Sequence, residues 1–153
     1  MALLQTPVEI SPIAHVIQQA VAPAFVLTAT GGLLGVQTNR LARIIDRARA
    51  MEGQHDASDD ARQRAALREQ LAVLSTRARH VNRAIAATTG CAILIACVIA
   101  VLFVGAVAHL PSGLVVAALF VTAMALLILG QLHFLREVFL ATRTIRIGRT
   151  EPT

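Results

Sequence analysis

Lysine, tryptophan and tyrosine are absent from this 153-residue chain. Without lysine there is no Walker-type ammonium for nucleotide phosphates, no Schiff base and no amine general base. Without Trp and Tyr, and with only five Phe, there is no run of rings on which single-stranded nucleic acid could stack. The aromatic belt that marks many membrane interfaces is missing too. Charge is scarce: 15% of residues are charged, against about a quarter in a soluble domain. The two cysteines, Cys91 and Cys97, lie six apart in one apolar run. Six residues of helix turn through about 600°, so the two thiols face different directions and read as small apolar side chains, not as a disulfide or metal pair. No cofactor and no metal is implied. A basic leader followed by a cleavage site is lacking, so the N-terminus does not read as a signal peptide.

What is present is oil and arginine. Apolar residues make up 56% of the chain, and all fourteen basic residues are Arg. A charge-free run of about 20 residues suffices to cross the hydrocarbon, and three occur, at about 13–36, 84–108 and 114–135. The first opens on Ser11-Pro12, a serine cap with proline at the first helical position. It is the most polar of the three, and Pro23 inside it predicts a kink. The expected fold is all-α, an integral membrane domain of three transmembrane helices over residues 1–153.

Between the first two spans, residues 37–83 read as an antiparallel helical hairpin. Leu41, Ile44, Ile45, Ala48 and Met51 recur at helical spacing, and Gly53 is the expected stop. Ser58, followed by Asp59 and Asp60, is the expected start of the second arm. Leu67, Leu71, Leu74, Ala78, Val81 and Ile85 then form a heptad seam. His109 to Gly113 reads as a tight turn between the second and third spans. After Arg136 and Glu137, residues 136–149 read as an amphipathic tail along the membrane surface.

The arginines orient the chain. Ten lie in 37–83 and four after 135, and none lies in 1–12 or 109–113. The positive-inside rule then predicts the N-terminus outside and the hairpin and C-terminus in the cytoplasm. Aligning the outer ends of the first two spans sets Arg83 level with Gln37 and His80 level with Arg40. Arg40, Arg43, Arg47 and Arg49 then face Arg77, Arg79 and Arg83, with Arg136 in the same layer. The nearby acids are Asp46, three residues from both Arg43 and Arg49, and Glu137. Several guanidiniums therefore lack an anion. Anionic lipid headgroups are the first expected partner, an anion-attracting vestibule of a pore the second, and a protein the third. The high pI would fit nucleic acid, but a chain this apolar and this poor in rings is not expected to bind it.

Two further groups stand out. His15, Gln18 and Gln19 share a helix face in the outer leaflet, where unpaired polar groups are costly. They read as an interhelical hydrogen-bonding cluster or as the outer lining of a water-filled path. Small residues let transmembrane helices approach closely. Ala20, Ala24, Thr28, Gly31 or Gly32, and Gly35 offer such a stripe on the first span, and Ala84, Thr88, Ala92, Ala96, Ala100 and Ala108 on the second. They read as packing within the chain or between copies of it in a homo-oligomer. The Thr30-to-Gly35 glycine run is not a phosphate loop: no strand precedes it and no lysine follows.

Ala14-His15-Val16-Ile17-Gln18 through Ala22-Pro23, followed by Thr38-Asn39-Arg40-Leu41-Ala42-Arg43-Ile44-Ile45-Asp46-Arg47-Ala48-Arg49, resembles a bacterial inner-membrane family. That family is catalogued as a domain of unknown function, number 2721. The Asn-Arg-Leu-x-Arg-Ile-x-Asp-Arg stretch is the specific part. The resemblance covers nearly the whole chain and implies three helices in the bacterial plasma membrane; it implies no activity. No carboxylate pair, Ser-His-Asp set or metal cluster converges in the sequence, so the expected role is non-enzymatic. It is a membrane scaffold or regulator whose hairpin contacts lipid or a partner. The alternative is a homo-oligomeric ion channel lined by the first span.

Overall fold

The computed structural model describes residues 12–57 and 60–144. Three helices account for nearly all of them: α1 (Pro12–Ala57), α2 (Ala61–Ala108) and α3 (Gly113–Thr144). All three are long and apolar enough to cross a membrane, and the stretch in α1 is the least apolar. This is the layout of a multi-pass membrane protein. At 1.5 Å per residue, α1 and α2 run for about 70 Å and α3 for about 48 Å. A hydrocarbon slab is about 30 Å thick, so more than half of the α1–α2 pair extends beyond it.

The spans and the hairpin arms are single continuous helices. α1 passes through Pro23 and does not stop at Gly53; it continues to Ala57. The interior of a helix tolerates a lone glycine at about 1 kcal/mol, which the neighbouring contacts of Met51 and Ala48 with α2 offset. The start of α2 is also displaced from expectation. Asp60 is its N-cap, in extended conformation, with its side chain accepting a 2.9 Å hydrogen bond from the Arg62 backbone N–H. Ser58 lies outside the described residues. The turn at 109–112 forms as expected. His109 adopts a left-handed conformation (φ 52°) and closes α2 by donating its backbone N–H to the Gly105 carbonyl.

α2 is the central element. α1 and α3 each pack along it and have almost no contact with each other. The α1 side is a heptad seam: Ile44 packs with Leu74 and Val81, flanked by Leu41, Ala48, Met51, Ala78 and Ile85. Toward α3 and the far end, Cys91, Ile95 and Ala123 form a second core with Val26, Leu27, Phe120 and Leu126 around it. Residues 136–144 of the expected tail continue α3 without a break; residues 145–149 lie outside the described residues.

Candidate functional site

Where the apolar stretches end on the arginine-rich side, the three helices meet in a polar layer. Its centre is Glu137 of α3, whose side chain is fully buried. From α1, Arg40 brings Nε to 2.6 Å from Glu137 Oε2, an ion pair rather than an aligned hydrogen bond. From α2, Arg77 donates to Oε1 from Nε at 3.1 Å and from Nη2 at 2.9 Å. The Arg40 guanidinium also lies 5.7 Å from the Phe134 ring centroid, within range for a cation–π contact. One carboxylate thus ties together α1 and α3, which otherwise barely meet. A buried carboxylate is tolerable only when its charge and lone pairs are answered, and here two guanidiniums answer it.

A turn or two deeper, Gln37 and Thr88 are buried together, and Gln37 Nε2 donates to Thr88 Oγ1 at 3.2 Å. This corrects the expected register: Gln37 meets Thr88, more than a helical turn along α2 from Arg83. On the other side of Thr88 stands Gly130 of α3. A Cβ there would lie 3.0 Å from Thr88 Oγ1 and 3.2 Å from the Ala84 carbonyl oxygen, so α2 and α3 approach closely at this level. Gln37 Oε1 and Gln131 Nε2 are buried without hydrogen-bond partners among the described residues.

His80 and His133 face each other between α2 and α3, with ring centroids 6.0 Å apart and planes inclined by 33°. The Nδ1 atom of each is buried and without a hydrogen-bond partner among the described residues. Arg83 and Arg136 lie close enough to act on His133 electrostatically.

The remaining arginines are turned outward. Arg43, Arg47, Arg49, Arg79, Arg83 and Arg136 are exposed, and none of them makes an ion pair among the described residues. Arg79 donates to Thr76 Oγ1 at 3.0 Å. Asp46 is exposed and is not brought into an ion pair with Arg43 or Arg49 among the described residues. Of the two acids expected to pair, Glu137 does so, with Arg40 and Arg77.

The polar cluster near the start of α1 stays within one helix. His15 and Gln19 share a 3.0 Å hydrogen bond four residues apart, and Gln18 is exposed. Gln19 also lines an open crevice of about 470 Å³ between the helices, floored by Pro23, Val98, Leu102 and Phe120. The small-residue stripes are used for packing inside the chain only in part: Ala20, Ala84 and Thr88 are buried. Thr28, Gly31 and Gly35 are exposed, and a Cβ on either glycine would meet nothing within 4 Å. Ala92 is half-buried, whereas Ala96 and Ala100 are exposed. The helices pack instead through bulkier heptad positions, Ile44, Val81 and Ile95 among them. The reason is the seam: a heptad that starts at Leu67 continues through Leu74, Val81 and Thr88 to Ile95 and carries the contact face past the alanines. That continuation was visible in the sequence and identifies Thr88 as a buried position.

Cys91 is buried, Cys97 is exposed, and both are free thiols. Among the described residues no group of three or more His, Cys, Asp or Glu side chains could hold a metal ion.

The model of a family described as a protein of unknown function, DUF2721, matches residues 20–147, which include every residue of the polar layer. The chain belongs to the DUF2721 family. Comparison with curated proteins and with solved structures returned no match. For this DUF2721 chain, the Arg40–Glu137–Arg77 cluster and the outward arginines around it are the features that a function must use.

Proposed function

We propose that this chain is a non-enzymatic scaffold or regulator of the bacterial plasma membrane. Its N-terminus lies outside, and its arginine-rich helical hairpin and C-terminus lie in the cytoplasm, where they contact anionic headgroups or a protein partner. One observation carries the reading. Glu137 pairs with both Arg40 and Arg77 from within, one carboxylate for two guanidiniums, while six more arginines at the same end are exposed and without an ion pair among the described residues. Such a collar attracts anionic lipid by about 1 kcal/mol per residue near the surface. The side is assigned by the positive-inside rule, and the length of the hairpin arms gives a surface well clear of the bilayer for a partner.

Two measurements test this. In intact cells of a cysteine-free background, a membrane-impermeant maleimide should label His109→Cys and leave Arg47→Cys unlabelled until the cells are opened. The reverse pattern would invert the topology and remove the basis for the reading. The purified full chain should also retain phosphatidylglycerol in preference to phosphatidylcholine; equal retention of the two would dismiss the lipid contact.

A second reading, a homo-oligomeric channel lined by α1, has one observation in its favour. Gln18, Thr28, Gly31 and Gly35 face away from the chain's own helices, and polar or small positions turned outward in a membrane suit contact with another copy. A strictly monomeric protein in mild detergent, or the absence of ion flux in liposomes, would rule it out.

A further inference from the structure

One four-residue pattern occurs twice at the polar layer: His80-Val-Asn-Arg83 on α2 and His133-Phe-Leu-Arg136 on α3. The helices are antiparallel and the two imidazoles face each other, with centroids 6.0 Å apart. The two arginines therefore flank the imidazole pair along the bundle axis. Arg83 lies one turn toward the apolar stretches, and Arg136 one turn toward the hairpin arms. Three residues rise about 4.5 Å, so the two arginine backbones stand about 9 Å apart along the axis with the imidazole pair midway, and each long side chain can reach back toward that level. The result is a nearly two-fold-symmetric set of four nitrogen-bearing side chains.

Charge decides the sign of that ligand. Arg83, Arg136 and His80 all act on His133. The carboxylate of this layer, Glu137, is already taken by Arg40 and Arg77. A cation between the imidazoles would face two guanidiniums with no counter-charge, so the set repels metals. An oxyanion reverses each of these terms. Two guanidinium forks and two imidazole N–H groups match the several oxygens of a phosphate. Depth decides the source. The charge-free run of α2 begins at Ala84 and that of α3 ends at Leu135, so the quartet sits where hydrocarbon gives way to headgroups, at the level at which lipid phosphates are concentrated.

We propose that His80, Arg83, His133 and Arg136 form a binding site for the phosphate of an anionic glycerophospholipid. The proposal rests on the reading above that the arginine-rich end lies against an anionic leaflet. Within that reading it assigns the lipid contact to one built site instead of spreading it over all the exposed arginines.

The test is lipid retention by the full chain in mild detergent, titrated with phosphatidylglycerol and phosphatidylcholine and counted by native mass spectrometry. Arg83→Gln with Arg136→Gln should weaken phosphatidylglycerol binding by about tenfold or more. Arg62→Gln with Arg64→Gln, which removes the same charge from the tip of the hairpin, should leave it unchanged. Arg43→Gln with Arg47→Gln, near the same end, should weaken it clearly less than the Arg83/Arg136 variant does. His80→Gln with His133→Gln, which leaves every arginine in place, should weaken it measurably, because imidazole N–H donors are lost. Arg83 and Arg136 are exposed and make no hydrogen bond or ion pair among the described residues, and circular dichroism checks that the variants remain helical. Arg83→Lys with Arg136→Lys keeps the charge but loses the fork, and should lie between wild type and the Gln variant.

Equal losses in the Arg43/Arg47 and Arg83/Arg136 variants would show diffuse attraction and overturn the site. So would unchanged binding in the Arg83/Arg136 variant. Displacement of the lipid by millimolar inorganic phosphate would make this a soluble-anion site and overturn the lipid assignment. Failure of the wild-type chain to distinguish the two lipids would instead bring down the function reading beneath it.

Discussion

Replacing Glu137 with alanine leaves the Arg40 and Arg77 guanidiniums facing each other without the carboxylate that now sits between them. Removing one partner of a buried ion pair typically costs about 3–5 kcal/mol, because the remaining charge stays desolvated. The Arg40 side chain is 29% exposed and the Arg77 side chain 17%. Both can turn partly toward water or headgroups, which places the expected loss at the low end, about 3 kcal/mol. Glu137→Gln keeps the shape and one acceptor but not the charge, and should lose less, about 1–2 kcal/mol. The sharper comparison is the triple variant Arg40→Met, Arg77→Met and Glu137→Leu. Here no charge is left stranded, and stability should return to within about 1 kcal/mol of wild type. The assay is reversible unfolding of the purified chain in mixed micelles by increasing SDS fraction, followed by circular dichroism. A Glu137→Ala variant within about 0.5 kcal/mol of wild type would refute the view that this cluster joins α1 to α3. So would a triple variant as unstable as the single one.

Thr88→Val removes the acceptor of the Gln37 amide inside the bundle and should cost about 1–2 kcal/mol in the same assay, while Thr88→Ser should remain close to wild type. Gly130→Ala puts a Cβ 3.0 Å from Thr88 Oγ1 and 3.2 Å from the Ala84 carbonyl oxygen. The carbonyl belongs to the backbone and cannot rotate aside, so α2 and α3 must separate, at about 1–3 kcal/mol. Gly90→Ala is the control: its Cβ would meet the flexible tip of Leu126 at 3.2 Å, and with the better helix propensity of alanine its unfolding midpoint should not fall. Equal effects at the two glycines would argue against close approach at Gly130.

The polar layer was legible in part. Arg40, Arg77 and Arg136 were expected at one level with Glu137 nearby, because charge at the end of an apolar run marks the end of a span whatever the tertiary contacts. Which acid would be used was not legible. Asp46, three residues from two arginines, had the better local geometry, yet it is exposed. Glu137, sixty residues from Arg77, is the one enclosed. Local spacing counts neighbours on one helix, whereas burial depends on which face the next helix covers. The His80–His133 pair had a signal, the repeated His-x-x-Arg, but recognising it required knowing that two antiparallel segments bring the copies together.

The sequence by itself determined the three apolar stretches, the turn at 109–112 and the concentration of arginine at one end. Each of these is a property of a continuous segment, set by hydropathy, capping residues and composition. Only the tertiary structure decided the register that pairs Gln37 with Thr88, the use of heptad positions instead of the glycine stripe for packing, and the enclosure of Glu137 by Arg40 and Arg77. Those outcomes depend on how far one helix slides along and rotates about another. That choice is made by many small contacts acting together across the whole α1–α2 and α2–α3 faces, and no single segment contains it.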